Sequence, residues 1–427
     1  MALPPGRLLS LPAHTQGRPG ASLTISFDQA RHVGAGQRPG SWMAVSARLP
    51  GQVPPDQLRT AWQQVIEHHS SLRTVFSRTV QGSLELRETK VVLGDWAEHH
   101  IDPGQDPRQV LRALFDRTCA PFDQPSHRLA LLLPSETEAD RRPVVIVGSD
   151  HAHVDMWSLL VVLRDLLQGL DNLRAGRPVD AGMEAVAGFT EHSAAMAARP
   201  SAPERIHRRW AEILDAGQGL MPRFGLPLGT DSPEEDSAVE VRDIFDTEQC
   251  ERFAAHAASL RVRMIALAVS ALTVATRELS GTPLRAVFPV HSRYEPRWRD
   301  SVGWFITDSV IESSDPDPQA CARAVKEAID LGSHPLGPIL EPYGGMPVGP
   351  GMFALSWLDT RRLAELPSGA QVQYVSAAVH DDGVMVWFVV NPDGLHLRAR
   401  YPDNPVAAAS MTRWLDAVAS GLRGFLD

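Results

Sequence analysis

Apolar side chains recur at i, i+3, i+4 and i+7 over Leu58, Ala61, Trp62 and Val65, which predicts a helix with a core-facing stripe, entered through Pro54-Pro55-Asp56. A second such helix follows His151, with Leu159, Leu160, Leu163, Leu166 and Leu167 on one side and Arg164, Asp165 and Gln168 elsewhere. Short apolar runs predict strands at about 42–49, 84–93, 129–133 and 144–147, with a helix near 107–117 between them. About the first eighteen residues, and 34–40, read as irregular. The pattern weakens between about 172 and 203, so a change of domain is expected there, dividing the chain into 1–180 and 181–427. The second part resumes with helices at about 204–214, 247–260, 264–280 and 317–331. Its strands are expected at about 284–290, 302–312, 352–358, 372–379, 384–391 and 395–401. A last helix carries Met411, Trp414, Leu415, Val418 and Leu422 on one face, while 217–237 and 341–351 read as loops. Each half is thus predicted to be mixed α and β.

Composition narrows the classes. With 427 residues, 43% of them hydrophobic and 22% charged, the chain can bury a core of enzyme size, and disordered or collagen-like classes are excluded. The net charge of −10 repels phosphate backbones, which disfavours a nucleic-acid partner. Cys119, Cys250 and Cys321 are odd in number and far apart, so neither a disulfide framework nor a zinc finger is suggested and a reducing, cytoplasmic setting is expected. The first residues lack a signal-peptide pattern. The longest strongly apolar run, between Arg263 and Arg277, falls short of the roughly 18 to 20 residues that cross a bilayer, so no membrane span is expected.

The chemistry concentrates where the apolar run Val144–Val147 leads through Gly148, Ser149, Asp150, His151, Ala152, His153, Val154 and Asp155 into a helix. Among sixteen histidines, His151 alone is followed by an aspartate four residues on. Three assignments compete for this corner. Its polar side chains can satisfy local backbone groups and cap the helix. His151, His153 and Asp155 can be metal ligands, because imidazoles and a carboxylate suit zinc. Or His151 can be a general base, since an imidazole titrates near neutrality.

Further along the chain the residues fall into a family order. Ser71-Leu-Arg-Thr-Val-Phe76, Pro121-Phe122-Asp123, Asp150-His151-x-x-x-Asp155, Ser292-Arg293-Tyr-Glu-Pro296 and Val302-Gly-Trp-Phe305 resemble, in this order, the landmarks of the condensation-domain superfamily, which includes stand-alone polyketide-associated acyltransferases. The resemblance implies two chloramphenicol-acetyltransferase-like lobes set as a V with a tunnel between them. It implies an acyltransferase or condensation enzyme of secondary-metabolite or lipid assembly, with His151 catalytic and Asp155 structural and held by Arg293. The acyl donor would be a phosphopantetheine thioester on an acyl or peptidyl carrier protein, or on coenzyme A, and the acceptor a small-molecule amine or alcohol. No tightly bound cofactor, no metal and a monomer are expected. Met156, Trp157, Ser158, Trp304 and Ser356 fall where the resemblance places the substrate tunnel, and backbone N–H groups of 156–158 are expected to face the developing oxyanion.

The sequence departs from the family pattern at three places. Asp150 replaces the first motif histidine, Met156 replaces a glycine, and Thr307 and Asp308 stand where Asn-Thr usually follows Val-Gly-x-Phe. Met156 keeps a second function open, a catalytically inactive condensation-like domain that recruits carrier proteins or partner enzymes. His68-His69 and His99-His100 read as exposed pairs, and His207-Arg-Arg-Trp210 as a solvated basic helix face.

Overall fold

The run Val144–Asp150 is a strand buried along its whole length, third in a six-stranded antiparallel sheet. In space the sheet runs Gln373–Ser376, Trp42–Arg48, Val144–Asp150, His127–Pro134, Gly6–Leu11, Ala97–His99. This is a computed structural model, and it describes residues 3–102, 104–229, 236–363, 366–367, 369–377 and 382–427. Register is set by burial. Trp42 stands opposite Asp150 and Val45 opposite Val147, while Leu129 meets Val147 on the other side, so a one-residue slip would exchange the buried partners on both faces of the strand. Gly148 is required here, because a Cβ on it would lie 2.8 Å from the Phe115 ring of the helix Pro107–Thr118.

The helix Met156–Arg174 begins right after the motif and buries Leu159, Leu160, Leu163, Leu166 and Leu167 as the periodicity predicts. It packs on the helix Pro55–His68, whose Leu58, Ala61, Trp62 and Val65 are all inaccessible to solvent. Asp165, expected off the apolar face, is also buried, paired with His69 Nε2 at 2.8 Å.

The chain divides into two compact units. The first comprises 1–198 together with 293–305 and 363–378, and the second comprises 199–292, 306–362 and 379–427. The break expected near 180 thus lies later, and two short segments from the second half belong to the first unit. A pattern of apolar periodicity marks where a segment is structured, and it carries no information on which distant sheet the segment joins. The second unit has its own six-stranded sheet, ordered Ser237–Phe245, Gly394–Pro402, Val384–Asn391, Phe353–Asp359, Leu284–His291, Ile306–Ser313, with parallel pairs flanking Phe353–Asp359. Phe253, Leu267, Leu272, Phe388, Trp414 and Leu415 lie at its core.

Several expectations need correction. Gly6–Leu11 and Ala13–Gln16 are strands, and the first pairs on both sides within the sheet. Phe27–Gly34 is a helix, started by a Ser26–Gln29 capping box. The strand expected over 302–312 begins only at Ile306. That over 372–379 covers Gln373–Ser376, with 378 and 379 outside the described residues. Residues 230–235 of the expected loop also lie outside them, and its last residue begins the strand Ser237–Phe245. Among the described residues no single helix is long and apolar enough to cross a membrane. The pair Thr247–Ser259 and Met264–Ser280 passes that test only jointly, bends by 92° and packs into the second unit's core.

One consequence for stability follows from buried histidines in the first unit. His127 shares Trp62's pocket, donates from Nε2 to the Leu72 carbonyl at 3.0 Å, and burial pushes it from 6.5 down to about 3. Between pH 6.5 and 3 the unfolded chain takes a proton that the folded ring refuses, so stability falls with pH by about 1.4 kcal/mol per unit for this group. Urea unfolding from pH 7.5 to 4.5 should show this slope, reduced in His127→Gln; a flat profile in the natural protein contradicts it.

Candidate active site

The corner is built around one buried ion pair. Asp155 caps the helix Met156–Arg174, accepting from Ser158 N–H at 2.7 Å. The same carboxylate takes Arg293 Nη1 at 2.7 Å, Arg293 Nη2 at 3.2 Å and the Phe305 N–H at 3.1 Å. Both side chains are sealed, at 0% and 2% exposure, so the pair exists only because every charge is answered. Burial alone would raise the Asp155 carboxyl, but Arg293 and the donors from Ser158 hold it below its ordinary value. The guanidinium lies 4.1 Å from the Phe305 ring centroid and 5.0 Å from that of Trp157.

Three of the sequence elements meet at this point. Ser158 Oγ donates to the Gly303 carbonyl at 2.8 Å and accepts from Gly303 N–H and Arg293 Nη2 at 3.0 and 2.8 Å. A Cβ on Gly303 would come within 2.3 Å of the Phe189 ring, so the close approach needs glycine. Ser71 donates to the Val302 carbonyl, and the Ser71 carbonyl and Thr74 Oγ1 hold His153 Nδ1, each at 3.1 Å.

The other imidazole of the motif, His151, is half-buried. His151 N–H bonds the Ser41 carbonyl, and its ring stacks on Trp304 with centroids 3.9 Å apart and planes 30° apart. Nδ1 is sealed, its nearest acceptor being the residue's own backbone carbonyl, leaving Nε2 as the nitrogen that meets solvent. Burial, and then neighbouring His32, lower its pKa below 6.5, while its own backbone carbonyl, Asp150 and Asp155 pull the other way. The ring is therefore neutral at pH 7, with an open nitrogen lone pair available to take a proton.

His151, Asp155, Arg293, Met156, Trp157, Ser158 and Trp304 all fall in the first unit, and Ser356 lies on Phe353–Asp359 of the second. Ser158 lines no opening: it is fully buried and its hydroxyl is used internally. Its N–H is likewise committed to Asp155, which removes one of the three expected oxyanion donors. Of the other would-be metal ligands, Asp155 is taken by Arg293 and Ser158, and His153 is held through Nδ1 by Ser71 and Thr74. His69, read as exposed, is buried. With His68 and Asp165 it forms the one cluster among the described residues close enough to share an ion, but Asp165 Oδ2 meets His69 and Oδ1 takes Arg164 Nε at 2.8 Å. In the basic cluster Arg209 pairs with Glu312 and Glu327, and Trp210 is buried.

Sequence reasoning missed His32 and Ser41, both bonded to Asp150. The Ser26–Gln29 capping box could have placed the helix that carries His32, but nothing local couples positions 32 and 150.

A family model of the condensation domain matches residues 35–329. Over 445 aligned residues the chain is 23% identical to the acyltransferase PapA3 of Mycobacterium tuberculosis, covering 96% of this chain and 90% of that one. It is 27% identical to the trehalose-2-sulfate acyltransferase PapA2 of Mycobacterium bovis over about half of each chain. The solved structure of a PapA2 acyl transferase superposes with a TM-score of 0.82 at 20% identity, over 100% of this chain and 98% of that one. The first condensation domain of the calcium-dependent antibiotic synthetase, in complex with a substrate analogue, gives 0.71 at 17% identity over 94% and 97%.

Breaking the central pair from either side strands a buried charge. Asp155→Ala and Arg293→Met should each cost about 3–5 kcal/mol, with the double substitution costing clearly less than their sum. Urea unfolding checks this, and single losses below about 1 kcal/mol would show that the pair does not organise the corner.

Proposed function

This chain belongs to the condensation-domain family, and on that premise we propose that it is an acyltransferase in which His151 is the general base that joins an acyl thioester to a hydroxyl or amine. The supporting observation is the state of His151: a neutral imidazole, braced by Trp304, with Nδ1 enclosed and Nε2 open. Nε2 takes the proton of the acceptor as its oxygen or nitrogen attacks the thioester carbonyl carbon. The tetrahedral intermediate collapses, the C–S bond breaks, and the imidazolium returns that proton to the leaving thiolate. Asp155 stays bonded to Arg293 throughout, so it orders the corner and exchanges no proton.

The donor is a phosphopantetheine thioester, on a carrier protein or coenzyme A. The name of the trehalose-2-sulfate acyltransferase makes a sugar or lipid hydroxyl the first acceptor class to test, with an amine second. Met156, at the first position of the helix and half-buried, replaces the backbone freedom of a glycine with a long apolar side chain, which suits an apolar acyl chain.

A panel of acyl-coenzyme A and acyl-carrier thioesters, offered with sugar alcohols and amines and followed by product mass, tests this. Wild-type protein should release thiol with a matching acylated product, and His151→Ala should lower the rate by about 10² to 10⁴. Because the His151 pKa is lowered, the rate should hold from pH 8 to 7 and fall only below 6.5. Equal product from wild type and His151→Ala would remove His151 from the mechanism.

A further inference from the structure

The carboxylate that stands in place of the first motif histidine is not an empty substitution. Asp150 is fully buried, and its oxygens accept from Ser41 Oγ at 2.6 Å, Ala152 N–H at 2.8 Å and His32 Nε2 at 3.1 Å. Burial pushes Asp150 up, and these donors more than reverse it, so it is ionised and His32 is the donor. His32 comes from the helix Phe27–Gly34, which is fixed to the motif turn. Gln29 donates to the Ala152 carbonyl at 2.8 Å, and Val33 packs with Phe76, Leu86 and Ala152. The His32 side chain is 9% exposed and its ring centroid lies 5.1 Å from Trp304 and 6.1 Å from His151.

We propose that His32, anchored by Asp150, is a positioning residue of the reaction site: the pair sets the charge standing beside His151 and braces Trp304 against it. The inference rests on the acyltransferase reading for its role in turnover, and on geometry alone for its effect on His151.

The outer nitrogen explains how the charge arises. Arg38 Nη2 lies 3.2 Å from His32 Nδ1, and a guanidinium can only donate, so Nδ1 accepts from Arg38 or else carries a proton. Either way a positive group stands on the far side of the ring from Asp150. Other charges facing this region are Asp28 and Arg31 on the same helix, Arg78 at its end, and His153 and Asp155 on the motif turn. Asp150 and Arg38 are the groups that meet the two nitrogens of the His32 imidazole.

Two substitutions therefore act on His151 with opposite signs. His32→Gln keeps a donor for Asp150 but removes the ring that either carries the positive charge or holds Arg38 in place, so the His151 midpoint rises. Asp150→Asn removes the anion and leaves the positive group, so that midpoint falls. For charges about 6 Å apart between protein and water, each shift is on the order of half to two pH units. The readout is the imidazole NMR titration of histidine-labelled full-length protein, with the His151 signal assigned by His151→Gln. Arg38→Gln, at an exposed side chain, supplies a further check, because losing the guanidinium held against His32 must also raise the His151 midpoint. This check needs neither substitution at the pair, so it decides the matter should His32→Gln or Asp150→Asn fail to fold. Where thioester turnover is measurable, the acid limb of kcat/KM should move with the His151 midpoint in each variant while KM changes little. Opposed shifts support the proposal even if no thioester is turned over. Unchanged midpoints in folded His32→Gln and Asp150→Asn, or shifts of one sign in both, overturn it, as does an unmoved His151 midpoint in Arg38→Gln.

Discussion

The Asp155–Arg293 ion pair is the constraint on which the rest of the corner depends. One carboxylate caps a helix, neutralises an arginine and receives the Phe305 N–H, so it ties three distant stretches of chain to one point. Two fully buried charges are tolerable only when each is answered by the other and by further hydrogen bonds, and here Ser158 and the Ser301 carbonyl accept from Arg293 Nη2 while Gly303 holds Ser158. The geometry that results fixes Trp304 through its neighbours on both sides. Trp304 in turn gives His151 a flat wall against which its orientation is set.

His151 is thereby separated from the charge that organises its surroundings. In a serine-hydrolase triad the carboxylate bonds the imidazole directly and stabilises its protonated form. Here Asp155 is spent on Arg293, and burial keeps the imidazole neutral. That state supports the proposed role, in which the proton is borrowed and returned within one turnover and the imidazolium need not persist.

Legibility followed the range of the forces involved. The helices at 55–68 and 156–174 and the strand at 144–150 were plain, because their apolar periodicity is local and strong. The strand Gly6–Leu11 was not, since Leu8, Leu9 and Leu11 stand among prolines and its pairing with His127–Pro134 is a long-range event. The same holds for 293–305 and 363–378, whose membership of the first unit no local pattern records. At the site, the spacing of His151 and Asp155 drew attention to both, and the order of the other elements brought in Arg293. His32 stayed hidden because it reaches Asp150 across 118 residues, and Ser158 looked available because burial cannot be read from its type.

The most direct test of the account is the intact mass of the protein itself during turnover of an acyl thioester, sampled on the millisecond to second scale. A general base leaves the protein's mass unchanged while acylated product accumulates, and that is the result expected here. A transient species heavier by one acyl group, on His151 or any other side chain, and consumed at the rate of product formation, would make the enzyme a covalent acyl carrier and contradict the role assigned to His151.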